Sequence, residues 1–466
     1  MINLSIIDYG IFVCYLIGSI LVSRCRLKKA SEENTAGSVE DYFLDGRKLS
    51  LPVFVASLVS TWYGGILGVG EVNYSFGASR WLMLEAPYYF FALVFAVFVV
   101  SPIRASKSLS LPDYWKLKLN SRIGALGSFL IFILTSPAPY LWMLGVLLQQ
   151  IFPLSLGQAI LISCVFVGAT QYRNGFQSVR RSNTLDFLIM FGGFALILPF
   201  CWWKLGGSDY LHNHLPKSHL EFVSNESWQA YGTWFFVAAW TLVDPGFHQR
   251  VRAARSSKVA RIGLLVSLLF WMIFDSMTLL VALYAKAAIP DLKNAGLCYI
   301  SLAAQILPVG IFGLFFISLV ATVFSTLNSF TFLSAQMLSQ LLKLRWKQGS
   351  LIQLHRVALV STLVLACALV VFIPSAIGLW YFLGSILLPG LLLGLVASLG
   401  YLGFISNTTL WYAMILSAIT SLLTWLDNHT NRSILGVLSG CQPMFAGFVI
   451  VLFAIVFDKL RGSEAK

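Results

Sequence analysis

Long apolar stretches alternate with short polar segments along the whole chain. Thirteen of these stretches run for roughly 17 to 30 residues, and a helix needs about 20 residues to cross the bilayer hydrocarbon because it rises about 1.5 Å per residue. The predicted spans are 6–23, 51–76, 81–103, 123–151, 155–171, 183–203, 231–248, 262–286, 309–341, 353–374, 379–402, 408–426 and 434–457. The pattern predicts an all-α, polytopic membrane protein with about 13 transmembrane helices.

Basic residues predict the orientation of these spans. If the N-terminus is outside, the cytoplasmic loops hold 26 of the 32 Lys and Arg residues. Basic residues in short loops resist translocation, so we expect a multi-pass protein of the cell membrane, bacterial inner or plasma, with a cytoplasmic C-terminus. The net charge of +13 is spread over these loops rather than gathered on one face, which predicts contact with the lipid bilayer and no nucleic-acid partner.

Composition and motifs exclude several classes of protein. With 58% hydrophobic and 11% charged residues, the chain is not expected to be a soluble fold. No HExxH, no GxSxG and no paired acidic metal motif is present, so no enzyme activity is predicted. The seven Cys residues form no CxxC pair, and His212, His214 and His219 fall in a polar segment that we expect to be a solvated loop.

Two predicted spans are unsuited to simple anchoring. Span 51–76 carries Gly64 and Gly65 near its middle, where unwound backbone could offer carbonyls to a cation or the glycines could simply allow close helix packing. In span 309–341, Thr322, Ser325 and Thr326 share one helix face with a further hydroxyl, Ser329. Such hydroxyls often bond only to the preceding turn, but a stripe of four also suits sodium, a hard cation that prefers oxygen ligands.

Five acidic residues lie within or near the predicted spans, where charge is costly unless it faces a cavity or a partner. Glu85 and Asp186 are the best functional candidates. Asp244 is predicted to form a structural ion pair with Arg250 or Arg252. The remaining two are Glu71, expected near the outer interface, and Asp275.

Three segments resemble one transporter family. YFLDGRKLSLPVFVASLVSTWYGG resembles the entry to the first core helix of the sodium:solute symporters, and LFFISLVATVFSTLNSF resembles the signature of their eighth core helix. DPGFHQRVRAARSSKVAR resembles the segment after their sixth core helix. The thirteen-span layout with an outside N-terminus also agrees, so the resemblance covers nearly the whole chain.

This resemblance implies a LeuT-type fold, in which two halves of five helices form an inverted repeat with extra terminal helices. The chain would then be a single membrane transport domain, 1–466. Its parts would be a peripheral helix 6–23, core repeat one 51–203, core repeat two 231–402, peripheral helices 408–457 and a short cytoplasmic tail 458–466.

The resemblance also implies a sodium site between the first and eighth core helices. By position its ligands fall on Ser60 and Tyr63, through carbonyls, and on Thr322, Ser325 and Thr326. The family usually has Ala where Thr322 stands, but a carbonyl ligand survives that change. Sodium is therefore the expected coupling ion, with no other metal or cofactor.

A second sodium site, found in some family members, would use Asn328 and Ser329 with Ser325 from the same helix. Asn183 or Asp186 would lie opposite, and Asn183 stands where those members have an acid.

A central substrate cavity is the other implied site. Glu85 lies near the position of a substrate-binding acid in sugar-transporting members, and Trp62 occupies a position that is often filled by a small polar or acidic residue. Trp234, Trp240 and Tyr381 could line or gate the cavity, although aromatic residues at such spacing more often pack between helices or lie at the membrane interface.

The resulting function is secondary active transport, in which sodium entry drives uptake of a small organic solute by alternating access. One alternative keeps the fold but couples transport to protons through Glu85 or Asp186. Another alternative is a membrane sensor domain that works with a separate partner.

Overall fold

The computed structural model describes residues 4–24, 36–171, 175–223, 227–346, 348–430 and 440–464. The regular elements in these ranges are helical, apart from an isolated bridge between Leu49 and Ala254. Residues 434–439 of the last predicted span and the final two residues of the predicted tail lie outside the described residues. The expected all-α fold is confirmed.

The helices are numbered here in chain order. Those of the first half are α1 (Ile6–Arg24), α2 (Ala36–Leu44), α3 (Leu51–Trp62), α4 (Ile66–Phe76), α5 (Ala86–Val94), α6 (Val100–Ala105), α7 (Leu111–Lys118), α8 (Ser121–Leu134), α9 (Ala138–Ile151), α10 (Leu156–Gln171) and α11 (Gly175–Leu205). Those of the second half are α12 (Ser208–His214), α13 (Trp228–Ala238), α14 (Trp240–Val243), α15 (Pro245–Ala253), α16 (Ser257–Ala288), α17 (Cys298–Ile306), α18 (Ile311–Arg345), α19 (Leu351–Phe372), α20 (Ala376–Ser398), α21 (Asn407–Thr430) and α22 (Pro443–Glu464).

Eleven helical segments in the described ranges are long and apolar enough to cross a membrane. Two predicted spans are not among them. Predicted span 155–171 corresponds to α10, which has only 16 residues, and predicted span 231–248 is broken into α13, α14 and the start of α15. The count of thirteen spans therefore stays a prediction.

A break in the second predicted span brings two helices into close contact. Helix α3 ends at Trp62, and a 3-10 turn, Tyr63–Gly65, precedes α4. At this turn the chain meets α18, a 35-residue helix that is buried over most of its apolar length. A Cβ atom on Gly64 would lie 2.1 Å from the Cβ of Thr326, so only glycine permits this approach.

Helix α15 is short but entirely buried. All nine of its residues, from Pro245 to Ala253, are inaccessible to solvent or nearly so. The Asp244 carboxylate caps its N-terminus by accepting from the backbone N–H groups of Gly246 (2.7 Å) and Phe247 (3.1 Å). This cap allows a new helix to begin at Pro245, directly after the end of α14. The two arginines of α15, Arg250 and Arg252, are buried in the protein interior.

Candidate ion and solute site

The hydroxyl stripe of α18 faces backbone carbonyls of α3. Ser325 Oγ donates to the carbonyl oxygen of Ser60 at 2.8 Å and to that of Thr322 at 2.9 Å. Thr326 Oγ1 donates to the carbonyls of Thr61 at 2.6 Å and Ser60 at 3.4 Å. All five residues are buried. We call this cluster of uncharged oxygens the α3–α18 junction.

Most of the residues expected at the main sodium site meet at this junction. Ser60, Ser325 and Thr326 contribute directly, and Thr322 contributes its carbonyl, while its own hydroxyl bonds back to Ser318 at 2.6 Å. Tyr63 starts the neighbouring 3-10 turn, and its hydroxyl donates to the Trp271 carbonyl at 2.8 Å. The donor set is oxygen-only and uncharged, which fits a monovalent hard cation.

A second oxygen cluster lies beside the junction. The hydroxyls of Thr61 and Ser329 are 3.1 Å apart, and the Asn183 amide lies 2.8 Å and 2.9 Å from them. The fully buried guanidinium of Arg250 donates through Nη2 to Thr61 Oγ1 at 2.5 Å and to Ser329 Oγ at 3.2 Å. We call this group, together with Ser57, the Arg250 cluster.

Ser57 and α15 complete the coordination of the guanidinium. Arg250 Nε lies 3.1 Å from both the carbonyl and the hydroxyl oxygen of Ser57, and Nη1 donates to the Gly246 carbonyl at 3.1 Å. With its oxygen turned toward Arg250, the Asn183 amide accepts from Nη2 at 3.0 Å and donates to the Val179 and Ser325 carbonyls. Among the described residues, every oxygen that accepts a hydrogen bond from the guanidinium is therefore neutral.

The structure does not bring together all the residues expected at a second sodium site. Asn183 and Ser329 meet in the Arg250 cluster. Asp186, fully buried, accepts instead from Tyr15 and Ser182, both at 3.0 Å.

Asn328 also faces away from the Arg250 cluster. Its side-chain oxygen accepts from Thr170 at 3.2 Å and from Gln171 at 2.8 Å.

Asp244 corrects one expectation from the sequence. It was predicted to pair with Arg250 or Arg252, but within the described residues it forms no ion pair shorter than 4.0 Å. Its Oδ1 is used by the two N–H groups at the start of α15. The prediction was wrong because a helix begins at Pro245, and its N-terminal N–H groups satisfy the carboxylate.

A cavity opens next to the α3–α18 junction. Its space amounts to about 1070 Å³ when the part that is open to solvent is included, and Thr61 and Tyr63 belong to its wall. Of the residues expected to line it, Trp62, Glu85, Trp234 and Trp240 do so.

Tyr381 is the exception among the residues expected at the cavity. Its hydroxyl bonds to the side chain of Gln442, and it is absent from the described lining.

Three charged residues at one end of the cavity form a linked group. Arg80 pairs with Glu85 at 2.5 Å and donates to Asn73 at 2.6 Å. Asp275 accepts from the Tyr89 hydroxyl at 2.5 Å. Glu85 and Asp275 were recognisable as buried acids in the sequence, but no signal there identified Arg80 as a partner of Glu85.

These features define a polytopic helical protein in which a junction of uncharged oxygens lies beside a central cavity, the arrangement expected of a secondary transporter. The model of the sodium:solute symporter family matches residues 42–386. The chain belongs to this family.

Two solved structures show the same fold. A substrate-bound, outward-open Na+-coupled sialic acid symporter superimposes with a TM-score of 0.79 at 15% identity, covering 98% of this chain and 98% of that chain. The structure of MhsT in complex with L-phenylalanine superimposes with a TM-score of 0.51 at 15% identity, covering 88% of this chain and 98% of that chain. The expected LeuT-type architecture is therefore confirmed.

Two relatives in sequence are named for different solutes. High-affinity choline transporter 1 of Drosophila melanogaster is 25% identical over 379 residues, which is 74% of this chain and 59% of that protein. A sodium/glucose cotransporter of Vibrio parahaemolyticus is 22% identical over 417 residues, which is 78% of this chain and 75% of that protein. The match thus spans less than two thirds of the choline transporter's length.

Proposed function

We propose that this protein is a secondary active transporter that couples sodium entry to uptake of a small organic solute by alternating access. The α3–α18 junction carries the proposal, because it holds carbonyl and hydroxyl oxygens of two helices within hydrogen-bond distance of one another. A sodium ion would replace these hydrogen bonds by ion–oxygen contacts. It would bind Ser60, Thr322, Ser325, Thr326 and Tyr63, the last through its backbone.

The position of the junction supports coupling to a solute. Thr61 offers its carbonyl to Thr326, and the same residue belongs to the wall of the cavity. An ion that bridges α3 and α18 therefore also fixes one side of the cavity. Sodium entry supplies about 2.3 kcal/mol per 100 mV of membrane potential and about 1.4 kcal/mol per tenfold concentration gradient, enough to concentrate a solute.

The location in the membrane is also part of the proposal. The distribution of basic residues favours a cell membrane, with the N-terminus outside and the C-terminus in the cytoplasm. The relatives' names, choline transporter and sodium/glucose cotransporter, support a small organic solute as cargo.

Thermal unfolding of the purified protein in sodium chloride and in potassium chloride, at equal ionic strength, tests the sodium site. A ligand of the folded state stabilises it by about 2.7 kcal/mol at about 100 times its dissociation constant. We expect sodium alone to raise the midpoint, and the double variant Ser325→Ala/Thr326→Ala to lose this increase.

A matched control removes two other buried hydroxyls of α18. Within the part of the chain that the structure describes, the hydroxyls of Thr331 and Ser339 donate only to carbonyls of their own helix, at 2.7 Å each. The variant Thr331→Ala/Ser339→Ala should keep the sodium effect. Equal midpoints of the unaltered protein in the two salts would contradict the sodium site.

Proton coupling remains the second candidate because Asp186 is fully buried and is held by the neutral side chains of Tyr15 and Ser182. In this case uptake would follow pH in the absence of sodium. The variant Asp186→Asn would abolish that dependence, whereas it leaves a sodium-driven transporter coupled.

A further inference from the structure

The cavity has an unusual lining for a site that takes a neutral solute. Its described wall includes four Trp, three Tyr and two Phe residues, but no Asn or Gln. The lining carries three carboxyl groups, those of Glu85, Asp244 and Asp275, and one basic side chain, that of Arg80. Aromatic rings with an excess of carboxylates attract cations, whereas a sugar needs several neutral donors and acceptors.

Two of the three carboxylates are already compensated. Glu85 pairs with Arg80, and Asp244 accepts from the two N–H groups at the start of α15. Asp275 is only 3% exposed, and one of its oxygens accepts from Tyr89. Its carboxyl also lies against that of Glu85 and near the guanidinium of Arg80, so one basic side chain serves two carboxyl groups. Asp275 thus brings a second buried carboxyl group to a place where only one guanidinium is present.

We propose that the solute is an organic cation, with Asp275 as its counter-charge and the aromatic wall around its alkylated head group. Two buried carboxylates beside one guanidinium leave one negative charge uncompensated, and a bound cation would offset the cost of burying it. Tryptophan faces within about 6 Å of an ammonium group add a further attraction. This inference rests on the proposed function, because it assigns the cargo of the same cavity.

Choline and 3,3-dimethyl-1-butanol test the charge requirement, because they have nearly the same shape and differ by one positive charge. Both are titrated in sodium chloride against the purified protein, with thermal stability as the readout. We expect choline to act at about a tenfold lower concentration than the alcohol. The variant Asp275→Asn should also lower the affinity for choline by about tenfold.

The control is Asp458→Asn on α22. Asp458 is also buried and accepts from Ser406 (2.7 Å) and Thr409 (2.9 Å), away from the cavity. Its variant should bind choline normally. Equal action of choline and the alcohol, or stabilisation by glucose alone, overturns the cation assignment while leaving the sodium effect intact. Loss of the sodium effect in the unaltered protein overturns the proposed function instead.

The Arg250 cluster carries a second, independent inference. Oxygens of Ser57, Thr61, Asn183 and Ser329 converge on one point, as they would around a metal cation, and the guanidinium of Arg250 already lies there. The group forms no ion pair within 4.0 Å among the described residues.

We infer that Arg250 serves as a fixed cation in this cluster, so that a single sodium ion, held at the α3–α18 junction, accompanies each solute. A second sodium would have to bind against a positive charge that cannot leave. Like charges at such separations repel by several kcal/mol in a protein interior. This inference also rests on the proposed function, because it concerns the number of ions that drive the same transporter.

Equilibrium binding of radioactive sodium to the purified protein tests this inference by counting ions. We expect one ion per chain, and a sodium dependence of thermal stability with a Hill coefficient of about 1. The double variant Asn183→Asp/Arg250→Gln removes the fixed cation and adds a carboxylate. It should bind two ions.

Arg252→Gln is the matched control. Arg252 is equally buried on the same helix, but it donates to Ser108 Oγ at 3.1 Å and to the His248 carbonyl at 3.0 Å. This variant should still bind one ion. Two ions in the unaltered protein, one of which is lost in Ser329→Ala, would overturn the inference, and this outcome does not depend on the folding of the double variant. No bound sodium at all would contradict the proposed function.

Discussion

Two clusters of neutral oxygens lie side by side between α3 and α18, and they differ in the charge they already hold. At the α3–α18 junction, the hydroxyls of Ser325 and Thr326 donate to backbone carbonyls and no charged group takes part. In the Arg250 cluster, similar oxygens surround a guanidinium. Similar oxygens would therefore hold the proposed sodium ion at the junction, and they hold a covalently attached cation in the Arg250 cluster.

Thr61 connects the two clusters. Its backbone carbonyl accepts from Thr326, and its hydroxyl accepts from Arg250. A substitution at Thr61 can remove the hydroxyl, which belongs to the Arg250 cluster, and leave the backbone carbonyl of the junction in place. Such a variant tests the two clusters separately. The predictions below use this separation, starting from the change with the largest expected effect.

Gly64→Ala should lower stability the most, because it disrupts the close packing of α3 against α18 on which both clusters depend. The added methyl group would lie 2.1 Å from the Cβ of Thr326 and force α3 away from α18. Overpacking of this severity costs about 3 kcal/mol or more. Thermal unfolding should show a much lower midpoint and no sodium effect.

Gly18→Ala on α1 is the matched control for Gly64→Ala, since nothing lies within 4 Å of its added methyl group. It should unfold at the normal midpoint or slightly above it. Equal midpoints for the two variants would show that the close contact at Gly64 is unimportant.

Ser325→Ala and Ser329→Ala should differ in sodium binding although the two residues lie one turn apart on α18. Ser325 donates to the Ser60 carbonyl, whereas Ser329 contacts Thr61 Oγ1 and Arg250. Ser325→Ala should lose most of the stabilisation by sodium, about 2.7 kcal/mol at about 100 times the dissociation constant. Ser329→Ala should retain it. A loss of the sodium effect in both variants would mean that the ion contacts both clusters.

The sequence predicts the two clusters to different extents. The α3–α18 junction could be predicted from a local pattern and from the family resemblance. Ser325 and Thr326 share a stripe that is visible at helical spacing, and the family resemblance placed Ser60 opposite them. The sequence left two possibilities open for Gly64 and Gly65, an unwound backbone or close helix packing, and the structure has a 3-10 turn there as well as a close contact with Thr326. Local pattern and resemblance thus predicted the junction.

The Arg250 cluster could not be predicted in the same way. Arg250 was counted among the basic residues of a cytoplasmic loop, because hydropathy alone does not show that a short charged segment folds back into the protein. In the structure it is fully buried, and its partners Ser57 and Ser329 are 193 and 79 residues away in the chain. Only the tertiary packing of α15 against α3 brings these residues together.

Thr61→Val should lower stability without removing the sodium effect. The change keeps the shape of the side chain but leaves a donor of the buried Arg250 guanidinium without one acceptor, which costs about 2 kcal/mol. The carbonyl that faces Thr326 stays in place. The midpoint in potassium chloride should fall, and the further rise in sodium chloride should be normal. Thr61→Ser, which restores the hydroxyl, should recover most of the loss; a missing sodium effect in Thr61→Val would show that the clusters act as one.

Asp244→Asn should have the smallest effect, and its size distinguishes a helix cap from an ion pair. Asn is as good an N-cap as Asp, so the hydrogen bonds to Gly246 and Phe247 can persist and the change should cost less than about 1 kcal/mol. Asp244→Ala, which removes the cap, should cost more than Asp244→Asn. If Asp244 were instead the counter-ion of Arg250, Asn would leave a buried charge unpaired and cost about 3–5 kcal/mol. Thermal unfolding of the two variants separates these cases, and a small loss for Asn supports an Arg250 guanidinium held by neutral oxygens.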